Sequence, residues 1–516
     1  MLKRLIVIVY QLAGQPGSQG RGIDLSGKER IKRAHTAVAM LACLVATAAV
    51  TATPAAAKTE HGAKPNLAGR LDQSFGKGGK ATVAFPAENA GNVGVKYTLP
   101  FQFTAGHLVM APAPGGKIVV AGSTRIARFL PSGKLDPGFG AGGLVTVARP
   151  PGMSFVLAGV AVDSQGRVLI GGSARPLPAS STPDPLISSA AVMRIAADGA
   201  VDTSFGQGGT LVSNFGIKPP AIGAGFYSGA AVGLRSLTVD SQDRPVLTGG
   251  SVTKIVNCSS TETAISTGFV ARLTESGGLD SSFGEGGLRQ ISDLTSFEQG
   301  ALFPSGDLFA VGLGKPRCNG EGGGPPVVLT GFGPEGALNP GFGFAGFRAI
   351  GYQSAPVATV TRSGKIVLLG APEKGAQLVL RLLPDGAADP GFGRIGRLQI
   401  ILPKRAAFAA VTADSRGRLL FAGRISKRVS KSKNNRLTRS TFFLARMNPE
   451  GNFDRSFGRH GSVRTGFGGP SSSFATQVML DAQGRIVVGG GISTSLLGTG
   501  GGFAIARYLS GDKKAG

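Results

Sequence analysis

One nine-residue phrase returns seven times along the chain, and nothing else in the sequence restricts the fold so strongly. It reads LDQSFGKGG at 71–79, LDPGFGAGG at 135–143, VDTSFGQGG at 201–209, LDSSFGEGG at 279–287, LNPGFGFAG at 338–346, ADPGFGRIG at 388–396 and FDRSFGRHG at 453–461. Aligned on their phenylalanines (Phe75, Phe139, Phe205, Phe283, Phe342, Phe392 and Phe457), the copies lie 50 to 78 residues apart. That spacing is too long for a helical solenoid unit and suits one four-stranded propeller blade per repeat.

The residues between phrases support strands. LAGVAVDSQGRVLIGGS (157–173) is a β-branched run, a turn and a second apolar run; AAVMRI (190–195) is a third, and TLVSNF (210–215) follows the phrase as a fourth. We label these strands a to d, which places the phrase in the c–d connection. LTVDSQDRPVLTGG (237–250), VTADSRGRLLFAG (411–423) and VMLDAQGRIVVGG (478–490) repeat the a–b part. No segment keeps a helical period, so the expected class is all-β.

The last copy ends early. TQVMLDAQGRIVVGGG (476–491) and FAIARYLSGD (503–512) supply strands a, b and c, while LDQSFGKGG and KATVAF (80–85) near the start supply the missing phrase and strand d. Joined, they complete a seventh blade, and the ring loses the open edges that invite aggregation. The expected organisation is an N-terminal extension with an export signal (1–57), a linker (58–65), a seven-bladed β-propeller of four-stranded blades (66–512) and a short tail (513–516).

Within the phrase, the glycine after Phe and the glycine four positions after Phe recur in all seven copies, as backbone sites that a Cβ would obstruct. The seven phenylalanines are read as structural plugs between blades, each burial contributing about 2–3 kcal/mol. The phrase acid is Asp72, Asp136, Asp202, Asp280, Asn339, Asp389 and Asp454; Arg128, Arg194, Arg272, Gly331, Arg381 and Arg446 stand eight residues before the last six. Where the arginine becomes Gly331 the acid becomes Asn339, the joint loss expected of an ion pair, because a lone half-buried charge is costly. Calcium ligation by the aspartates is the alternative reading.

The pattern D-x-x-G-[KR]-[IV]-[VL], then [AV]-x-R-[LIF], then [LV]-D-x-S-F-G-x-x-G resembles the delta-60 repeat, over roughly residues 66–512. The resemblance implies a β-propeller of a bacterial, often secreted, repeat family of unknown function. It brings no catalytic residues, and GFGPEGALNPGFGFAG (331–346) departs from its Arg and Asp.

Composition bears on location and partners. KERIKR (28–33), the apolar run TAVAMLACLVATAAVTA (36–52) and Ala55–Ala57 read as a Sec-type signal with cleavage before Lys58, giving a secreted or cell-surface product; an uncleaved anchor is the alternative. Cleavage would leave Cys258 and Cys318, in b–c connections of consecutive blades, expected to form a disulfide in an oxidising compartment. The formal charge of +26 favours anionic partners, yet no nucleic-acid module accompanies it.

Short, near-identical turns build the a–b and c–d end of the ring. The irregular segments 174–189, 216–233, 251–267, 313–326 and 424–440 all fall on the other end, and variable loops on a uniform scaffold are where binding usually resides. Arg424, Lys427, Arg428, Lys431, Lys433, Arg436 and Arg439 of RISKRVSKSKNNRLTRS (424–440) read first as a solvated loop, and are otherwise the candidate contacts to an anionic cell-wall polymer, glycan or protein. His61, His107 and His460 have no metal-ligand spacing, no cofactor is indicated, and no nucleophile elbow is present. The expected function is an exported, monomeric binding module. A lyase or hydrolase at the central channel, or a structural surface protein, are the alternatives.

Overall fold

The computed structural model describes residues 67–85, 109–122, 124–177, 188–217, 231–258, 261–292, 294–314, 326–350, 356–429, 438–468, 471–493 and 501–512, the side chains of 85, 231, 252–258 and 261–266 aside. Their strands form seven antiparallel sheets of four. Blades 1 to 6 span 109–146, 153–213, 231–291, 294–350, 357–401 and 406–465. The a strands are the inner ones: each packs against the a strands of both neighbouring blades, in a circuit that closes from blade 7 to blade 1.

Blade 7 joins the two ends of the chain, as its strand inventory demands. Lys80–Phe85 lies antiparallel to Gly501–Tyr508, from Lys80↔Ala506 to Phe85↔Gly501. Even the turn before the phrase is rebuilt from two segments. In blade 1 the Gly133 N–H donates to the Leu130 carbonyl; in blade 7 the Gly69 N–H donates to the Leu509 carbonyl at 2.9 Å, and Leu509 donates to Arg70 at 2.9 Å.

Seven apolar clusters fill the seams, each drawn from two adjacent blades and each holding one phrase phenylalanine that is at most 2% exposed. The glycine after each Phe adopts φ between 52° and 59°. A Cβ there would stand 2.1–2.5 Å from the carbonyl oxygen four residues on. Its N–H crosses the seam, donating at 2.7–3.3 Å to a carbonyl in the following blade: Ser132, Asp198, Ser276, Glu335, Asp385, Glu450 and, at the closure, Ala68.

Six arginines complete this latch. Arg128, Arg194, Arg272, Arg381, Arg446 and Arg507 pair with Asp136, Asp202, Asp280, Asp389, Asp454 and Asp72 at 2.6–2.9 Å. Each guanidinium carbon lies 4.3–4.8 Å from the centroid of its blade's phrase Phe. Each Nη1 also donates to a carbonyl in the next blade, as Arg272 does to Pro334 at 2.6 Å and Arg507 to Pro131 at 2.5 Å. The pair expected inside each blade is therefore also the tie between blades.

Burial opposes ionisation of these six aspartates. Hydrogen bonds from neighbouring backbone and side chains, together with the guanidinium, outweigh it and hold each carboxyl below the ordinary aspartate value. Around the inner ring, glutamines add amide clamps: Gln299 exchanges two hydrogen bonds with the backbone of Ala358, at 2.7 and 2.9 Å.

Segment 251–267, expected as an irregular connection, is instead a long hairpin. Pro245–Cys258 pairs with Thr261–Arg272 out to Cys258↔Thr261. The β-branched content of SVTKIV and TETAIST favours that extension.

Candidate functional site

Outside the latches, charged side chains gather at the inner ring. Five a strands carry a β-bulge at one equivalent position, placing Ala158, Arg235, Glu298, Ala409 and Thr476 as the extra residue. A bulge re-aims a side chain out of the pleat. In blades 3 and 4 this brings opposite charges toward each other, with Arg235 Nε 3.7 Å from Glu298 Oε2. Ser296 donates to the same carboxylate.

Arg175 joins them from the b–c end of blade 2, in strand Val168–Pro176. Its guanidinium has no ion-pair partner among the described residues, and burial lowers its pKa. Burial lowers that of Arg235 too; Glu298 counters the shift and Arg175 adds to it. Two half-buried guanidinia thus lie near enough to repel each other, an arrangement that an anion would relieve. The sequence reading named the channel mouth but none of these residues. Aligning the a strands would have found Arg235 and Glu298, because three of the five bulge positions hold small or neutral side chains.

The basic segment of blade 6 is partly a hairpin, Leu419–Arg428 against Thr438–Met447. Arg424, Lys427 and Arg428 are exposed and Arg439 is half-buried, while Lys431, Lys433 and Arg436 lie outside the described residues. Lys427 stands directly opposite Arg439, so two like charges share one face. Arg439 Nε is buried without an acceptor among the described residues. Cys258 ends its strand, but its side chain and all of Cys318 lie outside the described residues, as do His61 and His107. His460 holds φ 52° at the turn position where Gly78, Gly142, Gly208 and Gly286 stand in other blades. Among the described residues no group of His, Cys, Asp or Glu could hold a metal ion.

The blade 4 latch differs from the others. Gly343 keeps its bond to Asp385 at 2.7 Å. Gly331 offers no guanidinium, and Phe342 has closed onto it, so that a Cβ on Gly331 would meet Phe342 Cγ at 2.4 Å. A cavity of about 370 Å³ opens beside them, lined by Asp307, Asn339, Arg362 and Pro384 among others. It lies at the a–b and c–d end, the end where the sequence showed only uniform turns.

The family model that matches the chain is of a β-propeller. Residues 114–139, from the a–b turn of blade 1 to Phe139, match the family model of a domain of unknown function, the DUF5122 beta-propeller. That family is the β-propeller repeat the motif resembles. No curated protein matches the chain. Solved structures similar to it include a protein of unknown function from Dyadobacter fermentans (9% identity, covering 71% of this chain and 97% of that one, TM-score 0.37). A protein of unknown function from Bacteroides caccae (10% identity, 68% and 93%, TM-score 0.32) is another. A third is a gluconolactonase from Xanthomonas campestris (16% identity, 61% and 81%, TM-score 0.32).

Proposed function

We propose that this protein is an exported binding module that holds an anionic ligand at the b–c and d–a end of its ring. The observation that carries the reading is the neighbouring pair Arg175 and Arg235, two half-buried guanidinia of which Arg175 has no ion-pair partner among the described residues. The blade 6 hairpin supports it, since Lys427 and Arg439 share a face and Arg439 Nε has no acceptor among the described residues. A carboxylate- or phosphate-bearing polymer would answer both clusters. Export by the N-terminal signal, with cleavage before Lys58, would place the module where cell-wall polymers and glycans are met.

Retention of the full chain on immobilised polyuronate, polyphosphate and neutral dextran tests this reading. Binding to the anionic matrices, weakened by salt and by Arg175→Gln with Arg235→Gln, is the expected result. Equal retention on dextran, or no effect of the double substitution, would sink it. Shortening of the polyuronate during the assay would instead favour the lyase or hydrolase reading.

A further inference from the structure

We propose that the cavity between blades 4 and 5 is a receptor for a guanidinium group carried by a small ligand such as free arginine. In the six sibling seams one frame repeatedly holds a guanidinium. In each, the phrase aspartate takes one edge and a carbonyl of the next blade takes Nη1: Ala197, Glu275, Pro334, Pro449, Ser510 or Pro131. That carbonyl always lies three residues after the arginine position of the next blade. For blade 4 the equivalent is Pro384, which lines the cavity. No hydrogen bond reaches its carbonyl among the described residues.

Three substitutions convert this seam from self-filled to open. Gly331 and Asn339 replace the arginine and its aspartate. The third falls just before strand b, where the other blades carry Lys117, Arg167, Arg244, Lys365, Arg418 and Arg485. Four of these cations contact the phrase aspartate, as Lys117 does Asp136 at 2.9 Å and Lys365 does Asp389 at 2.9 Å. Blade 4 places Asp307 there. A carboxylate therefore replaces a cation at the position that faces the missing guanidinium.

The charge of the seam is reversed and its acceptors are kept. Asp307 accepts from Ser305 at 2.8 Å and has no ion-pair partner among the described residues. Asn339 Oδ1 accepts from the Gly341 N–H at 3.0 Å, as the phrase aspartates do in their own turns. With Pro384 these groups surround a space of about 370 Å³, ample for a guanidinium and its alkyl stem. An ion pair with hydrogen bonds to a planar fork is the geometry guanidinium serves best. Arg362 stands exposed at the rim and suits a ligand that carries its own carboxylate behind the guanidinium, as arginine does.

The seam cannot simply be refilled from the chain, because Phe342 occupies the space of the first side-chain carbon at Gly331. Blade 4 has repacked around the loss, and the repacked form retains the backbone latch to Asp385.

Titration calorimetry on the full chain tests the assignment, with L-arginine as ligand and L-citrulline, its neutral isostere, as control. Saturable binding of arginine, with citrulline and the Asp307→Asn variant each about ten- to a hundredfold weaker, is the expected result. Asn339→Asp should tighten binding by restoring the sibling carboxylate. Circular dichroism of both variants establishes that they fold. Equal binding of citrulline, no saturable binding of arginine, or an Asp307→Asn variant that binds like the wild type would each overturn the proposal. It stands apart from the anionic-ligand reading, since Arg175 and Arg235 belong to the opposite end of the ring.

Discussion

Arg507 and Asp72 lie 435 positions apart in sequence, and Arg507 Nε meets Asp72 Oδ2 at 2.9 Å in the last blade. Arg507 is 1% exposed, and its Nη1 goes on to Pro131 of blade 1. This one side chain ties the C-terminal segment, the N-terminal segment and the first complete blade. Asp72→Ala would take from that buried charge its nearest carboxylate and leave only the more distant Asp481, at 3.8 Å, so a loss of about 3 kcal/mol is expected in urea unfolding. A loss below about 1 kcal/mol would mean the pair is incidental to closure.

Removing residues 67–85 should act more broadly. It takes out the d strand of blade 7, its phrase and Phe75 together, and bares the strand Gly501–Tyr508 along one edge. Aggregation and rapid proteolysis are expected, measured by size-exclusion chromatography and limited trypsin digestion. A monomeric, protease-resistant product would contradict the latch.

The six phrase aspartates set the response to acid. Their folded-state carboxyls sit below the ordinary aspartate value, so their stabilisation is present above that value and is lost as pH falls through the folded one. The urea midpoint should fall between about pH 6 and pH 2, and an Asp389→Asn variant should show a smaller fall. A midpoint that does not change over this interval would refute the assignment.

Two neighbouring glycines separate crowding from backbone conformation. Gly140 and Gly142 both have positive φ, 55° and 63°. A Cβ on Gly140 would sit 2.4 Å from the Leu144 carbonyl, whereas one on Gly142 would meet nothing within 4 Å. Gly142→Ala should cost about 1–2 kcal/mol, the left-handed penalty alone, and the equivalent Ala345 is tolerated at φ 51°. Gly140→Ala should be markedly worse by differential scanning calorimetry, and equal costs would show that the contact with Leu144 is not limiting.

Cys258 and Cys318 are expected to be joined in protein recovered after export. Non-reducing peptide mapping should return one bridged peptide; two alkylatable thiols in folded protein would reject the bridge. The loop closed would contribute up to about 4 kcal/mol.

The ring was legible because its grammar is local and repeated. Seven copies of one phrase exposed the blade count, and the matched loss of Arg and Asp at Gly331 and Asn339 exposed the pairing. What escaped was the reach of each arginine into the next blade: the receiving groups are backbone carbonyls, such as those of Pro334 and Ser510. Any residue supplies a carbonyl, so nothing in the sequence marks them. Asp307 was visible but unremarked, since its meaning depends on a comparison with Lys117 and its equivalents that only the seam geometry motivates. Arg235 and Glu298 stand out only once the a strands are aligned with one another, since a bulge sets their direction and no residue type announces one.

Every latch points the same way, from a phrase to the turn of the blade that follows. A blade therefore has a giving side and a receiving side, and the backbone part of the latch is the same at every seam. Ring closure uses up the last such pair within one molecule. A chain interrupted before its final blade would keep one of each, and two interrupted chains could satisfy each other head to tail, then a third, without a natural stopping point. The same complementarity that closes the ring would then drive an open polymer, with the N-terminal strand acting as the terminator that keeps it finite.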